Sequence, residues 1–436
     1  MHPNFVNGNH SDRFIEAMSA SSTSRSSYQT LTTTAGLRVV YRHTDTPVSY
    51  CGFMFDCGTR NESGPAQFGM AHFIEHILFK GTQKRDSWHI NNRMESVGGE
   101  LNAFTTKEET TFYSVFLDRD YERAIELLCD LVGHPTAPEK ELIKEQEVVI
   151  DEIMSYRDTP AELIYDEFEN QLFAGGSLGH NILGSEATVK GFHSEACLAF
   201  IRQHYTTSRT IFFYQGAIEL EKVVKTVEKW YEKREEPSSA DTILAAMSLT
   251  KEEPAEESEE EPCHNQSHVI LGAPSYHIGH PNSAALALLN NILGGPGMNS
   301  RLNLSLREKR GLVYTVESNI NNYTDAGYFS IYFGCDHHDV NKCLKLCHTE
   351  LDHFRNITMT PTQLAAAQRQ LRGQLGVSQA NLENNAIALA KNMLRLGHVE
   401  SLEETCARID AVTPDLTQQV ANEVFDKTRL RTTIIQ

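Results

Sequence analysis

The chain carries one pattern twice. Ile74-Glu75-His76-Ile77-Leu78 lines up with Leu289-Asn290-Asn291-Ile292-Leu293 at an offset of 215 residues, Tyr113-Ser114-Val115-Phe116 with Phe329-Ser330-Ile331-Tyr332 at 216, and Arg209-Thr210 with Arg431-Thr432 at 222. Self-similarity at a nearly constant offset marks a duplicated domain. A length of 436 residues has room for two domains of about two hundred each. In the first copy Val39-Val40-Tyr41, residues 48–55 and residues 109–117 have the β-branched and aromatic character of strands, with a turn at Asp45-Thr46-Pro47. Helical patterns over 85–97, 120–132 and 138–158 separate or follow them. The expected fold is therefore α+β: two homologous domains, 28–231 and 265–436, each a mostly antiparallel sheet with helices packed on it. Residues 1–27 are expected to form a disordered tail and 232–264 a flexible acidic linker, because Pro237, Ser238, Ser239 and the Glu-rich run at 251–262 bring few large apolar side chains.

Within the first copy, His72, Glu75 and His76 are the only polar residues between Met70 and Phe79, and a helix places all three on one face. The other faces carry Met70, Ala71, Phe73, Ile74, Ile77, Leu78 and Phe79, as in a buried helix. Ionisable groups on a buried helix need a partner. Two imidazoles at i and i+4 reach one Zn²⁺, and the carboxylate between them can take a proton from a metal-activated water. The order His-x-x-Glu-His is the inverted form of the thermolysin-type motif.

A site that keeps a water needs a third protein ligand from elsewhere in the fold. Thr136 as cap, Pro138 in the first turn and Pro160 beyond the end frame a helix. Along it Leu142, Glu145, Val149, Glu152 and Tyr156 form one inward stripe, so Glu145 and Glu152 are expected at buried positions. A buried carboxylate is costly unless paired or metal-bound, which makes these two the natural third ligand and its support. Three polar residues in a plain core helix would be the alternative, and the second copy argues against it. There Ala287, Asn290 and Asn291 replace His72, Glu75 and His76, and Gln374 stands at about the place of Glu152.

These residues occur in order with Cys57-Gly58-Thr59-Arg60, with Gly98-Gly99-Glu100-Leu101-Asn102-Ala103-Phe104-Thr105, and with the run from Leu306 to Tyr314. On them, residues 30–436 resemble the pitrilysin/insulinase zinc peptidases, most closely the short two-domain branch that includes mitochondrial processing peptidase. The resemblance implies one Zn²⁺ per chain on His72, His76 and Glu152, with Glu75 as general base and Glu145 supporting the ligands. It implies that Arg307 and Tyr314 donate to the oxyanion formed when water attacks a peptide carbonyl. By residue type alone, Arg307 reads as a surface salt bridge and Tyr314 as a core aromatic. Asn102 and Ala103 resemble the edge strand on which these enzymes lay an extended peptide. The family encloses peptides or unfolded segments between four such domains, so a homodimer is expected. A processing subunit paired with an inactive homologue is the alternative, and a non-catalytic core subunit is a third reading.

The formal net charge is −19, of which seven Glu against one Lys in 251–262 supply −6, leaving −13 on the rest. That balance speaks against nucleic acid and mildly favours basic peptides. No apolar stretch approaches membrane-spanning length, and residues 1–30 lack the apolar core of a signal peptide. Arg13 and Arg25 lend the Ser-rich start a faint transit-peptide character that Asp12 and Glu16 weaken. Nine cysteines without paired short spacings suit a reducing compartment, and with the transit-peptide character so weak the cytoplasm is expected before the mitochondrial matrix. His337-His338-Asp339 resembles a second metal cluster, but it follows a strand and reads as an exposed turn leading into a helix.

Overall fold

The computed structural model describes residues 28–236 and 265–436. The tail expected over 1–27 and most of the linker expected over 232–264 lie outside the described residues. The first domain's packing continues past Tyr231: Arg234 N donates to Thr207 Oγ1 at 2.8 Å, Thr207 N donates back to the Arg234 carbonyl at 3.1 Å, and the guanidinium reaches the Val132 carbonyl.

Six strands build the first half: β1 (Gln29–Thr32), β2 (Arg38–His43), β3 (Val48–Phe55), β4 (Glu100–Thr105), β5 (Thr110–Leu117) and β6 (Thr210–Gly216), in the order β1-β2-β6-β3-β5-β4. The second half has β7 (Ser267–Pro274), β8 (Val313–Asn322), β9 (Gly327–Cys335) and β10 (Arg431–Ile435), in the order β10-β7-β9-β8. Set β6-β3-β5-β4 beside β10-β7-β9-β8 and the duplication appears as one topology used twice. Every described pairing is antiparallel except β2 with β6. The bend at Asp45-Thr46-Pro47 does join β2 to β3, but the two strands are not neighbours, because β6 enters between them.

Helices cover both faces. In the first half α1 (Met70–Leu78) and α2 (Glu139–Arg157) share a core with Phe53, Phe55 and Phe112 of the sheet. Thr136 does not cap α2; Pro138 is the N-cap residue, and Glu139 and Glu141 in the first turn complement the helix dipole instead. Pro160, expected only to end that helix, opens another, α3 (Pro160–Leu172). In the second half α4 (Ser283–Gly294) and α5 (Pro361–Ser378) take the places of α1 and α2, and α6 (Leu382–Leu396) follows. The last helix of each set is exchanged. Helix α3 lays Ile164 and Phe168 on Ile270, Tyr328 and Tyr332 of the second sheet, whereas α6 lays Ala386, Leu389 and Ala390 on Val40, Met54, Tyr113, Ile211 and Phe213 of the first. Burying a large apolar side chain contributes about 1.5–3 kcal/mol, so each copy stabilises the other's sheet. No helix among the described residues is long and apolar enough to cross a membrane.

Candidate metal centre

Helix α1 begins at Gly69, whose φ of 93° suits glycine, and a Cβ there would meet the Leu183 carbonyl oxygen at 2.6 Å. Glycine has no side chain to cap the helix. Glu62 does so from outside, accepting from Gly69 N at 3.1 Å, Ala71 N at 3.0 Å and His180 Nε2 at 2.9 Å. An anion on these otherwise unpaired N–H groups also complements the dipole. Phe73, Ile74, Ile77 and Leu78 are buried in the core, which leaves His72, Glu75 and His76 on the remaining side.

Helix α2 brings Glu152 to that side. Its Oε2 lies 3.8 Å from His72 Nε2 and 3.4 Å from His76 Nε2, and one ligand atom from each of the three residues falls within 4.8 Å of the others. A tetrahedral zinc with bonds of about 2.0–2.1 Å holds its ligand atoms roughly 3.3 Å apart, so both the donor types and their spacing fit. Behind the ligands, Glu145 Oε1 takes His76 Nδ1 at 2.9 Å and Oε2 takes Lys80 Nζ at 2.7 Å. That bond fixes the ring of His76 with Nε2 facing Glu152. Glu145 is buried as its stripe position implied. Glu152 is not: its side chain is 44% exposed, and Ile153 occupies the inward place instead. A stripe of period 3.5 drifts round a helix of 3.6 residues per turn, which carries Glu152 to the rim.

Burial, reinforced by His76, holds the His72 imidazole down at about 4. Burial also opposes charge on His76, but hydrogen bonds to Glu145 and Glu152 prevail and lift it to about 9. Glu75 is raised by burial, and Thr105 Oγ1, donating to its Oε2 at 2.6 Å, moderates the rise. Glu75 is thus a stronger base than a free carboxylate, with one oxygen tethered by Thr105.

Asn102 and Ala103 lie on β4, which among the described residues is an edge strand paired only with β5. Alternation sends Leu101, Ala103 and Thr105 toward α1, and Phe104 to the opposite face beneath α6. Sequence reasoning passed over Thr105, Glu62, Lys80 and His180. Two had a readable signal: Thr105 shares a strand face with Ala103, and Lys80 lies one turn beyond His76.

Residues 38–186 match the family model described as Insulinase (Peptidase family M16), and residues 192–371 match the one described as Peptidase M16 inactive domain. An uncharacterized zinc protease of Streptomyces coelicolor is 34% identical, over 86% of this chain and 82% of its own length. The chain belongs to peptidase family M16. The uncharacterized zinc protease YmxG of Bacillus subtilis is 32% identical over 89% of this chain and 94% of its own. A crystal structure of a protease from Helicobacter pylori has the same fold at a TM-score of 0.83, with 19% identity over 94% of this chain and 99% of that one.

The two remaining residues expected at the site, Arg307 and Tyr314, fall in the second half. Arg307 sits on a π-helical turn over Asn303–Glu308, and Tyr314 lies in the irregular stretch of β8 between Val313 and Val316. A bulge re-aims side chains, and Tyr314 is 83% exposed. Both residue-type readings fail: Tyr314 is outside the core, and Arg307, also exposed, has no ion pair among the described residues. Within the described chain neither is hydrogen-bonded or ion-paired to His72, Glu75, His76 or Glu152. Asp336, His338 and Asp339 also bring ligand atoms within 4.8 Å, but on the surface, at the turn before the helix Val340–Asn356, with Lys342 Nζ 3.6 Å from Asp339.

Proposed function

We propose that this M16 chain is a zinc-dependent endopeptidase acting on peptides or unfolded segments. The observation that carries the reading is the convergence of His72, His76 and Glu152 with Glu75 beside an open strand edge. When bound, zinc supplies a Lewis acid that polarises the peptide carbonyl and lowers the pKa of a water. A peptide added to the free edge of β4 pairs through its main chain, which tolerates varied sequences. Glu75 accepts the proton of the attacking water and delivers it to the leaving amine. The names of the Streptomyces and Bacillus relatives support both the metal and the reaction. The inactive-domain match chiefly covers the half that carries Ala287, Asn290 and Asn291 and so leaves the first half's ligands untouched. Metal analysis should find about one zinc per chain, and chelation should stop cleavage of an unstructured peptide. Glu75→Gln should keep the zinc and lower kcat by roughly 10²- to 10⁴-fold. A variant that cleaves normally would refute the role of Glu75.

The finer reading is a closed chamber formed by two chains. Arg307 and Tyr314 are a cation and a phenol left exposed in the metal-free half, available to an oxyanion in the metal site of a second copy.

A further inference from the structure

Lys107, Glu108 and Glu109 are three consecutive charges in the turn between β4 and β5. Such a turn is ordinarily solvated. Here their exposures are 2%, 7% and 2%, and each is tied to a distant residue. Glu109 Oε1 takes Lys391 Nζ at 2.6 Å, and its Oε2 takes an Arg395 guanidinium N–H at 2.9 Å. Arg395 donates its other arm to Asp56 at 2.5 Å. Glu108 accepts from Thr324 N and Thr324 Oγ1, each at 3.0 Å, and from Arg60 at 2.6 Å; the other arm of Arg60 holds Asp325 at 2.5 Å. Lys107 donates to the His180 carbonyl and stands 3.6 Å from Glu169. Lys391 and Arg395 are on α6, and Thr324 and Asp325 form the β8–β9 turn, the duplicate of this one. The two equivalent turns of the two copies therefore meet.

We propose that the metal-free half positions the chemistry of the metal-bearing half through this turn. Arg395 and Lys391 on Glu109, with Thr324 on Glu108, hold the β4–β5 hairpin in the register that sets Thr105 against Glu75 and presents the edge at Asn102 and Ala103. Thr105 and Thr110 are the cross-strand pair that closes the turn, and Thr106 N donates to the Glu109 carbonyl at 2.8 Å, so a shift of Glu109 passes directly to Thr105. Among the described residues β4 has no strand on its other side to hold it. The clamp is itself placed by the packing of α6 on the first sheet, so it reports how the two halves sit together. Buried ion pairs add little net stability but are strict about geometry, which fits a positioning role. None of these residues touches the reacting atoms. The inference rests on the endopeptidase reading.

Arg395→Met in the full-length zinc protein keeps the length of the side chain and removes the pairing. Wild-type zinc content is expected, with kcat on an unstructured peptide down roughly 10- to 100-fold and partly rescued in Arg395→Lys. A double-mutant cycle with Thr105→Val separates positioning from general destabilisation. If Arg395 acts through Thr105, Arg395→Met costs far less kcat once Thr105 is Val. A loss of stability would instead lower activity by the same factor in both backgrounds. Glu109→Gln runs the same cycle should Arg395→Met fail to fold. Losses that multiply, in a wild-type enzyme that cleaves, overturn this inference alone; a wild-type protein that cleaves nothing overturns the endopeptidase reading together with it.

Discussion

Replacing Glu145 by Gln should loosen zinc without abolishing the chemistry. Its carboxylate accepts from His76 Nδ1 at 2.9 Å on one oxygen and from Lys80 Nζ at 2.7 Å on the other. A carboxamide has one acceptor oxygen, so its NH₂ must confront either the imidazole N–H or the ammonium, donor against donor. The Lys80 side chain is 26% exposed and can turn to water, so the amide oxygen is expected to stay with His76. What is lost is the charge on the acceptor that orients His76 and the bond to Lys80. A hydrogen bond involving a charged group contributes about 1.5–3 kcal/mol. Outer partners of metal-binding histidines govern affinity by ~10- to 100-fold, which is about 1.4–2.7 kcal/mol. The two ranges agree, so the zinc dissociation constant should rise by roughly 10- to 100-fold. Competition against a chromophoric chelator at fixed pH measures it, and kcat at saturating zinc should change much less, because Glu145 touches no reacting atom. Unchanged affinity would refute the argument. Unchanged affinity with a collapse in kcat would move Glu145 into the chemistry itself.

His204 offers a test that does not involve the metal ligands. Burial first, and the Arg209 guanidinium second, push its imidazole down from 6.5 to about 4. Below pH 6.5 the unfolded chain takes up a proton that the folded chain refuses, so this group's contribution is intact above that pH and is lost toward pH 4, amounting to about 3 kcal/mol. In zinc-free protein His204→Gln, which keeps an acceptor for Arg209 but does not titrate, should flatten the fall of unfolding free energy across this window; equal slopes would exclude the effect. For the two-chain chamber, a Glu75→Gln chain and a Tyr314→Phe chain should each be nearly inactive alone and regain part of the activity on mixing with verified subunit exchange. No recovery would mean that each site is built within one chain.

Much of the candidate site was legible because its signals are local. The alternation of apolar and polar residues from Met70 to Phe79 sets the one face of α1 that carries His72, Glu75 and His76. The expected helix over 138–158 is observed as Glu139–Arg157. Where the reading departed from the structure, a distant partner was responsible. Glu152 was expected to be buried because its stripe is inward, yet the cleft between α1 and α2 leaves it at the rim. β2 and β3 were expected as strands joined by a turn, and nothing local announces that β6, more than 150 residues later, parts them.

The sequence by itself determined the duplication, the α+β class, the candidate ligand residues and the asymmetry between a half with His72, Glu75 and His76 and a half with Ala287, Asn290 and Asn291. Tertiary structure alone decided that α3 and α6 change places, that Tyr314 stands in solvent, and that Lys107, Glu108 and Glu109 are buried. The physical reason is common to all three. Periodicity tells which side chains must leave water, but not what they meet, and the cost of burying a charge depends wholly on the partner that receives it. For Glu109 that partner is Arg395, 286 residues away, and only the packing of α6 on the first sheet brings it within reach.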